Sequence, residues 1–237
     1  MNLEQAREWL SAATSVAVLT GAGISAESGV PTFRGPGGLW NDFKPEDLAT
    51  PEAFAKDPKL VWQWYDWRRE KIAGAKPNAA HRALVEIEKR KPRFTLITQN
   101  VDGLHDLAGS GKILKLHGDI WRMRCLECGA NFPNRRVPLP KIPPHCACGG
   151  LARPGVVWFG EPLPEGMMQE AEHAAASAQV FLVIGTSATV HPAASLIPYA
   201  RKSGARVIEI NPEPGPLNGL ADCTIPGPAG EWLPQLL

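Results

Sequence analysis

The chain has 237 residues, of which 44% are hydrophobic and 21% are charged, a composition typical of a folded globular protein and unlike that of a disordered or fibrous one. Its 25 basic and 24 acidic residues leave a net charge of +1, so we predict no nucleic-acid partner and no attachment to an anionic membrane. No apolar run approaches the roughly 20 residues that span a bilayer, and we predict a cytoplasmic protein.

The first elements in chain order are a helix over residues 2–13, predicted from apolar side chains at helical spacing, and a buried strand over 15–20 that Gly21 ends. Three later apolar runs predict strands at 94–98, 180–184 and 205–210. Helical patterns separate the runs, at about 80–90, 166–178 and 192–203. Because the runs are continuously apolar and alternate with helices, they predict a doubly wound, Rossmann-like α/β fold with a parallel sheet.

Two segments do not fit this alternation. Residues 34–77, which we call the helical flap, contain four tryptophans and no strand-like run. Residues 119–155, the cysteine module, are rich in Cys, Pro, Arg and Gly. They contain too few long aliphatic side chains to form a stable core without an additional cross-link. We predict that these two segments form a small inserted domain, and that residues 1–33, 78–118 and 156–237 form the Rossmann-like domain.

A glycine-rich turn follows the first strand directly. Residues 21–26, Gly-Ala-Gly-Ile-Ser-Ala, fit the G-x-G-x-x-G/A dinucleotide fingerprint, in which glycines let the backbone approach a pyrophosphate. A tight turn without a ligand is the alternative. A hydride-transferring enzyme is disfavoured, because Gly29 and Pro31 end any helix after about two turns and no strand leads to the acidic residue that such enzymes need.

Four of the five cysteines form two close pairs inside the cysteine module, Cys125, Cys128, Cys146 and Cys148. Four thiolates in this spacing suit a tetrahedral Zn²⁺ with no open coordination position, which predicts a structural metal site. Unrelated core cysteines are the alternative, and a redox C-x-x-C pair is disfavoured because a second pair is present. His145 could replace one ligand, and we expect Cys223 to be a small buried side chain.

Further motifs complete a set with the glycine turn. Residues 27–34 continue it as Glu-Ser-Gly-Val-Pro-Thr-Phe-Arg, residues 98–105 read Thr-Gln-Asn-Val-Asp-Gly-Leu-His, and residues 116–118 read Leu-His-Gly. Together these motifs resemble the sirtuins, a family of NAD-dependent protein-lysine deacylases. The resemblance runs from about residue 10 to the C-terminus, because the four cysteines, residues 185–187 and residues 211–213 also occur in the family's order.

The resemblance implies that NAD binds across the carboxyl ends of the strands. In sirtuin chemistry the acyl-lysine amide oxygen attacks the ribose anomeric carbon, and a histidine then acts as general base on a ribose hydroxyl; here that residue would be His117. Taken alone, this histidine would more often be structural. The implied cofactor-binding residues are Gly21, Ala22, Gly23, Ala26, Glu27, Thr32, Phe33, Arg34, Trp40, Gln99, Asn100, Val101, Asp102, Gly185, Thr186, Ser187, Asn211, Pro212, Glu213 and Ala229.

The resemblance also implies that acylated-lysine proteins bind as extended peptides. Residues 156–161 resemble the substrate-binding strand of the family, with Val157, Trp158, Phe159 and Gly160 on one side of the peptide and the loop at residues 190–192 on the other. Backbone pairing of this kind makes little demand on the flanking sequence. An ordinary strand after the cysteine module is compatible with the same residues.

One helix in the flap, at about residues 57–72, carries a charge inside its apolar stripe. The stripe follows the helical repeat and consists of Val61, Trp64, Tyr65, Arg68 and Ile72. Arg68 needs a partner there, and an internal ion pair or a side chain extended to solvent would also satisfy it. Tyr65 and Arg68 match the Tyr-x-x-Arg pattern of the sirtuins that remove succinyl, malonyl or glutaryl groups, and Ala49 matches the small residue of their wider pocket. We therefore predict desuccinylation and demalonylation with weaker deacetylation.

Two other functions compete with a deacylase. A sirtuin-like mono-ADP-ribosyltransferase would share the NAD site and His117. A non-catalytic module would bind a partner through the cysteine module and only sense a nucleotide, and the set Asn100, Asp102 and His117 argues against it.

Overall fold

The computed structural model describes residues 3–34, 37–213, 215–217 and 219–237. Residues 1, 2, 35, 36, 214 and 218 fall inside predicted segments but lie outside the described residues. Within the described part of the chain, no helix combines the length and the apolar character needed to cross a membrane.

Six parallel strands form the main sheet, in the order β3-β2-β1-β7-β8-β9. Their bounds are β1 Ser15–Thr20, β2 Arg93–Thr98, β3 Ile113–Lys115, β7 Val180–Ile184, β8 Arg206–Asn211 and β9 Cys223–Pro226. The predicted parallel sheet of a doubly wound α/β fold is confirmed. The two edge strands β3 and β9 were not predicted, because they are short and lack the continuous apolar run of the inner strands.

Helices cover both faces of this sheet. They are α1 Leu3–Ala12, α6 Ala79–Arg90, α7 Leu104–Ala108, α8 Met167–Ser177, α9 Leu196–Lys202 and α10 Ala229–Trp232. Side chains of β1 alternate between the faces, so Val16 and Val18 join a core with α1, α6 and α10, whereas Ala17 and Leu19 join a second core with α8 and α9. This alternation explains why the central residues of β1, 16–19, are all apolar.

The predicted helical flap contains four helices, α2 Leu39–Asp42, α3 Pro45–Leu48, α4 Pro51–Lys56 and α5 Pro58–Ala73. The cysteine module contributes an antiparallel sheet in the order β5-β4-β6, with β4 Gly118–Cys125, β5 Asn131–Pro133 and β6 Ala152–Val156. Flap and module share one hydrophobic core, and the Trp62 indole donates a hydrogen bond to the Ala152 carbonyl at 2.8 Å. Each segment therefore supplies apolar surface that the other lacks.

Helix α5 also contacts the cysteine module through polar side chains. The Asp66 carboxylate accepts the Leu139 N–H at 3.1 and 3.2 Å. Arg69, which is fully buried, donates to the Asn134 carbonyl and to its side-chain oxygen, the latter at 2.9 Å. These contacts fix the rotation of α5, and with it the direction in which the opposite side of the helix points.

Candidate active site

A cleft of about 460 Å³ lies where β1, β2, β7 and β8 end, and α5 and the segment after β6 close its far side. This volume is in the range of small-molecule binding sites. The cleft brings together His117, the six predicted substrate-binding residues and all but three of the predicted cofactor-binding residues. Residues that lie far apart in the sequence therefore meet at one edge of the sheet.

The three predicted cofactor-binding residues that do not line the cleft are Glu27, Asp102 and Ala229. The Glu27 carboxylate accepts the Gly230 N–H at 2.6 Å, next to Ala229, which is buried in α10. Asp102 is buried and accepts hydrogen bonds from the Ser25 hydroxyl and the Leu104 N–H, both at 2.8 Å. The Glu27 and Asp102 side chains therefore join elements behind the cleft.

The glycine turn packs directly on the end of β7. A Cβ at Gly21 would lie 2.7 Å from the Gly185 carbonyl, and one at Gly185 would lie 2.3 Å from the Ile24 nitrogen. The Gly21 and Gly23 N–H groups donate to the Ile184 and Gly185 carbonyls, at 3.0 and 2.8 Å. The glycines are therefore needed for backbone contact between two turns. Gly21 is followed by a 3₁₀ helix, Ala22–Ser28, which Gly29 ends, in agreement with the early end predicted for this helix.

Polar side chains follow the ends of β2, β7 and β8. The Gln99 amide donates to the Thr186 hydroxyl at 2.9 Å, and the Asn211 amide donates to the Thr186 carbonyl at 3.0 Å. The Asn100 amide donates to the Gly21 carbonyl at 3.0 Å and to the Ser25 hydroxyl at 3.3 Å. This network fixes amide and hydroxyl groups along the cleft, where they can meet the hydroxyls and phosphates of a nucleotide.

His117 lies in the turn between β3 and β4 and lines the cleft. Its Nδ1 is 3.0 Å from the Gln99 carbonyl oxygen. Because a carbonyl can only accept, Nδ1 carries the proton and the neutral ring has its lone pair on Nε2. Burial lowers the pKa of His117 from its ordinary value of 6.5, although the hydrogen bond to Gln99 opposes this shift. The imidazole is therefore a neutral base at physiological pH.

Arg68 lies at the other end of the cleft and is only 7% exposed. Its guanidinium carbon is 4.7 Å from the centre of the Phe33 ring and 4.9 Å from that of Trp64. Among the described residues, no carboxylate lies within ion-pair distance of the guanidinium, so the internal ion pair considered above is not present. The side chain is buried, so it does not extend to solvent either. Burial lowers the pKa of the guanidinium, and the neighbouring Tyr65 and Asp102 side chains oppose this.

Tyr65 lies next to Arg68 in the cleft and is also buried. Its hydroxyl oxygen is 2.9 Å from the Trp158 indole nitrogen. Since an indole N–H can only donate, the phenol oxygen is the acceptor. Burial raises the pKa of Tyr65 above its ordinary value of 10.0, and the Arg68 charge and the Trp158 hydrogen bond oppose this. The phenol is thus neutral and keeps its own proton for a second partner.

The segment after β6 differs from the predicted strand. Strand β6 ends at Val156, and the Val157 and Phe159 N–H groups donate to the His117 and Ala49 carbonyls, both at 2.9 Å. The Val157 bond extends the register of Gly118 and Val156 by one residue, the Phe159 bond joins the chain to the helical flap, and residues 157–160 belong to no strand among the described residues. All four line the cleft, as do residues 190–192.

The sequence analysis did not assign a site role to Trp64 or Leu163, which also line the cleft. Trp64 stacks on Trp40, with ring centres 5.7 Å apart, and contacts the Arg68 guanidinium. Its place one turn before Arg68 in the same stripe is the signal that could have identified it. Leu163 follows residues 157–160, and no sequence pattern indicates its place in the cleft.

The four cysteines of the module come together as one cluster, with all sulfur atoms within 4.8 Å of one another. Cys125 and Cys148 are 3.5 Å apart, and Cys128 and Cys146 are 3.8 Å apart. Zinc–sulfur bonds of about 2.3 Å in a tetrahedron require sulfurs about 3.8 Å apart. The donor set therefore fits Zn²⁺. His145 lies outside the cluster, with its Nδ1 3.2 Å from the Pro143 carbonyl, so the proposed replacement of a ligand by His145 was wrong.

Backbone N–H groups support this cluster. The Cys128 N–H donates to the Cys125 sulfur at 3.5 Å, and the Gly150 N–H donates to the Cys148 sulfur at 3.4 Å. The Cys128 N–H is the main reason that the pKa of Cys125 falls to about 7. A metal-binding knuckle stabilises thiolates in this way, because each N–H dipole points at the sulfur charge.

We expect Cys146→Ser to lose zinc and to lower the melting temperature, since the module has little apolar core of its own and metal binding contributes to its folding. Metal analysis and thermal denaturation measure both effects. Cys223→Ser, which lies outside the cluster, is the control for zinc content. A Cys146→Ser protein with full zinc content and unchanged stability would contradict the assignment.

Comparison with known proteins identifies the family. Residues 21–192 match the family model of the Sir2 family. An NAD-dependent protein deacylase of Aquifex aeolicus is 58% identical over 209 residues, which are 88% of this chain and 87% of the relative. The structure of a Sir2 homologue in complex with NAD is 48% identical, with a TM-score of 0.92 over 98% of this chain and 91% of that chain. A Sir2 protein solved with a deacetylated p53 peptide and 3′-O-acetyl ADP-ribose is 30% identical, with a TM-score of 0.92 over 100% and 97% of the two chains. The chain therefore belongs to the Sir2 family.

Proposed function

We propose that this member of the Sir2 family is an NAD-dependent protein deacylase that removes succinyl and malonyl groups from lysine side chains, and acetyl groups less efficiently. The products are nicotinamide, the free lysine and O-acyl-ADP-ribose. Support for the cofactor comes from the family and from the cleft, where the glycine turn leaves room for close approach to the backbone and the polar ends of three strands present amide and hydroxyl groups to a nucleotide.

The observation that carries the acyl preference is the buried guanidinium of Arg68, which forms no ion pair within the part of the chain that the structure describes. A buried cation without a carboxylate is costly unless a ligand supplies one. Arg68 lines the cleft beside the Tyr65 hydroxyl, and the two groups can hold a carboxylate by charge-assisted hydrogen bonds. Ala49, whose carbonyl accepts the Phe159 N–H, adds little bulk to the same end of the cleft. A succinyl or malonyl group brings the missing charge, whereas an acetyl group does not.

The chain's own residues divide the chemistry between the two ends of the cleft. Bound NAD would supply the ribose carbon to which the acyl oxygen is joined as nicotinamide leaves. His117 accepts a proton at Nε2, because Nδ1 is held by the Gln99 carbonyl. Gln99, Asn100 and Asn211 orient hydroxyl groups through their amides, and Arg68 and Tyr65 hold the far end of the acyl chain.

We propose that the acyl-lysine protein binds as an extended peptide between residues 157–160 and residues 190–192. Phe159 is 42% exposed at the mouth of the cleft and packs near Trp40, with ring centres 6.3 Å apart. An apolar rim of this kind covers the lysine methylenes as the acyl group enters. Recognition through the backbone makes few demands on the neighbouring substrate residues.

The pH dependence of the reaction should report the burial of His117. The base acts in its neutral form, and burial lowers its pKa below 6.5, so activity that depends on it is retained as the pH falls through 6.5 and is lost only below that value. A profile of kcat/KM between about pH 5 and 8 measures the midpoint of the acidic limb. A midpoint above 6.5 would contradict the assigned environment.

The experiment that tests the proposed function compares acetyl-, malonyl- and succinyl-lysine peptides of one sequence at saturating NAD. We expect the highest kcat/KM with the acidic acyl groups, and mass spectrometry should find free lysine with acyl-ADP-ribose. Equal or higher efficiency with acetyl-lysine refutes the acyl preference. Transfer of ADP-ribose to protein without deacylation would instead support the mono-ADP-ribosyltransferase.

A further inference from the structure

The Tyr65 hydroxyl has one hydrogen-bond partner within the described residues, the Trp158 indole 2.9 Å away. Both side chains are almost fully buried, at 2% and 3% exposure. The indole N–H occupies a lone pair of the phenol oxygen. The phenol proton therefore points away from the indole. The Tyr65 and Arg68 side chains line the same end of the cleft, where an acyl carboxylate would lie.

Trp158 is itself held on several sides. The Arg153 guanidinium lies 3.5 Å from the centre of its ring, and the Phe54 ring packs on it with centres 5.2 Å apart. Arg153 forms a two-point ion pair with Glu161, at 2.5 and 2.8 Å. The Glu161 carboxylate also accepts the Trp158 backbone N–H at 2.8 Å. The ion pair therefore contacts both the ring and the backbone of Trp158, which leaves its indole N–H fixed in direction.

We infer that the Trp158 side chain is a positioning residue for acyl specificity: its indole N–H holds the Tyr65 oxygen as an acceptor and so directs the Tyr65 proton to the substrate carboxylate. A hydroxyl that accepts a hydrogen bond is also a stronger donor. The inference rests on the proposed preference for acidic acyl groups. It gives the Trp158 side chain a role separate from the backbone contacts of residues 157–160 with the peptide.

The test is a double-mutant cycle with Trp158→Phe, Tyr65→Phe and the double variant. For each protein, KM is measured with succinyl- and acetyl-lysine peptides of one sequence, and the succinyl-to-acetyl ratio of KM is compared. We expect each single variant to raise this ratio about 3- to 10-fold, the effect of one lost hydrogen bond. The double variant should raise it no further than Tyr65→Phe alone, because Trp158 acts through the phenol.

Phe54→Leu is the matched control, since it loosens the packing of the Trp158 ring but keeps the indole N–H. We expect it to leave the ratio unchanged, and an equal rise would show that packing, and not the hydrogen bond, matters. Multiplied effects in the double variant, or no change with Trp158→Phe, would also overturn the inference. If the wild-type protein does not prefer succinyl-lysine, the proposed acyl preference and this role are both refuted. If it does prefer succinyl-lysine and Trp158→Phe leaves the ratio unchanged, only the role of Trp158 is refuted.

A second measurement needs no substrate and detects misfolding. The chain has eight tryptophans, whose indole N–H resonances can be resolved in a ¹⁵N-labelled sample, and the Trp158 resonance is the one missing from Trp158→Phe. Tyr65→Phe should shift that resonance upfield while the others keep their positions. An unmoved Trp158 resonance in a folded Tyr65→Phe protein would refute the hydrogen bond on which the inference depends.

Discussion

His117→Ala should reduce deacylation by about 10²- to 10⁴-fold, the range typical for loss of a general base. The reason is geometric. The Gln99 carbonyl oxygen is 3.0 Å from Nδ1 and fixes the ring proton on that nitrogen, so Nε2 is the atom that accepts a proton, and it belongs to a side chain that lines the cleft. Single-turnover rates with succinyl- and acetyl-lysine peptides measure the effect, and both should fall together.

The variant should still fold and bind NAD, because the glycine turn is held by backbone contacts with β7 and not by the imidazole. Calorimetric titration with NAD and thermal denaturation are the controls. Turnover close to that of the wild type in a folded, NAD-binding protein would rule out His117 as the base. Loss of NAD binding would mean that the imidazole holds the cofactor, which the proposal does not allow.

Arg68→Met should lower kcat/KM for succinyl-lysine by about 10- to 150-fold, since hydrogen bonds to charged groups contribute roughly 1.5 to 3 kcal/mol. Methionine keeps much of the apolar stem, and it removes the cation that the substrate carboxylate needs. The acetyl-lysine reaction has no carboxylate and should change much less. The measurement is the succinyl-to-acetyl ratio of kcat/KM in the two proteins.

Lys71→Met supplies a matched control, because it removes an exposed cation from the same helix at a position outside the cleft. We expect its ratio to equal that of the wild type. If Arg68→Met lowers both efficiencies equally, the guanidinium stabilises the stack of Phe33 and Trp64 rings around it and does not select the acyl group.

Much of the fold could be predicted because its signals are local. Strand β1 is buried on both faces, so its central residues, 16–19, are all apolar, and α5 shows its buried stripe as a helical repeat. The cysteine cluster could be predicted from spacing alone, since its ligands occur in two short pairs. Motifs that follow strand ends indicated the cleft, because parallel strands bring their carboxyl ends to one edge.

Other features depend on contacts between distant parts of the chain. The hydrogen bond between Tyr65 and Trp158 joins residues 93 positions apart, and no periodicity within either segment indicates it. The sequence suggested that Gly21 and Gly23 offer their N–H groups to a ligand, but these groups bond to the end of β7. Beyond Val156, the Val157 and Phe159 N–H groups find their acceptors at His117 and Ala49, which a local pattern cannot reveal.

Helix α5 carries two sets of contacts at alternating positions, with Tyr65 and Arg68 toward the cleft and Asp66 and Arg69 toward the segment at 134–139. Chimaeras that exchange residues 119–155 between relatives would therefore also exchange the contacts that orient α5 at the proposed acyl site. To preserve specificity in such a chimaera, α5, the acceptor oxygens of Asn134 and the donor N–H of Leu139 should be inherited from the same parent. The segment with the cysteine cluster and the helix with the proposed acyl site are, for protein engineering, a single unit of exchange.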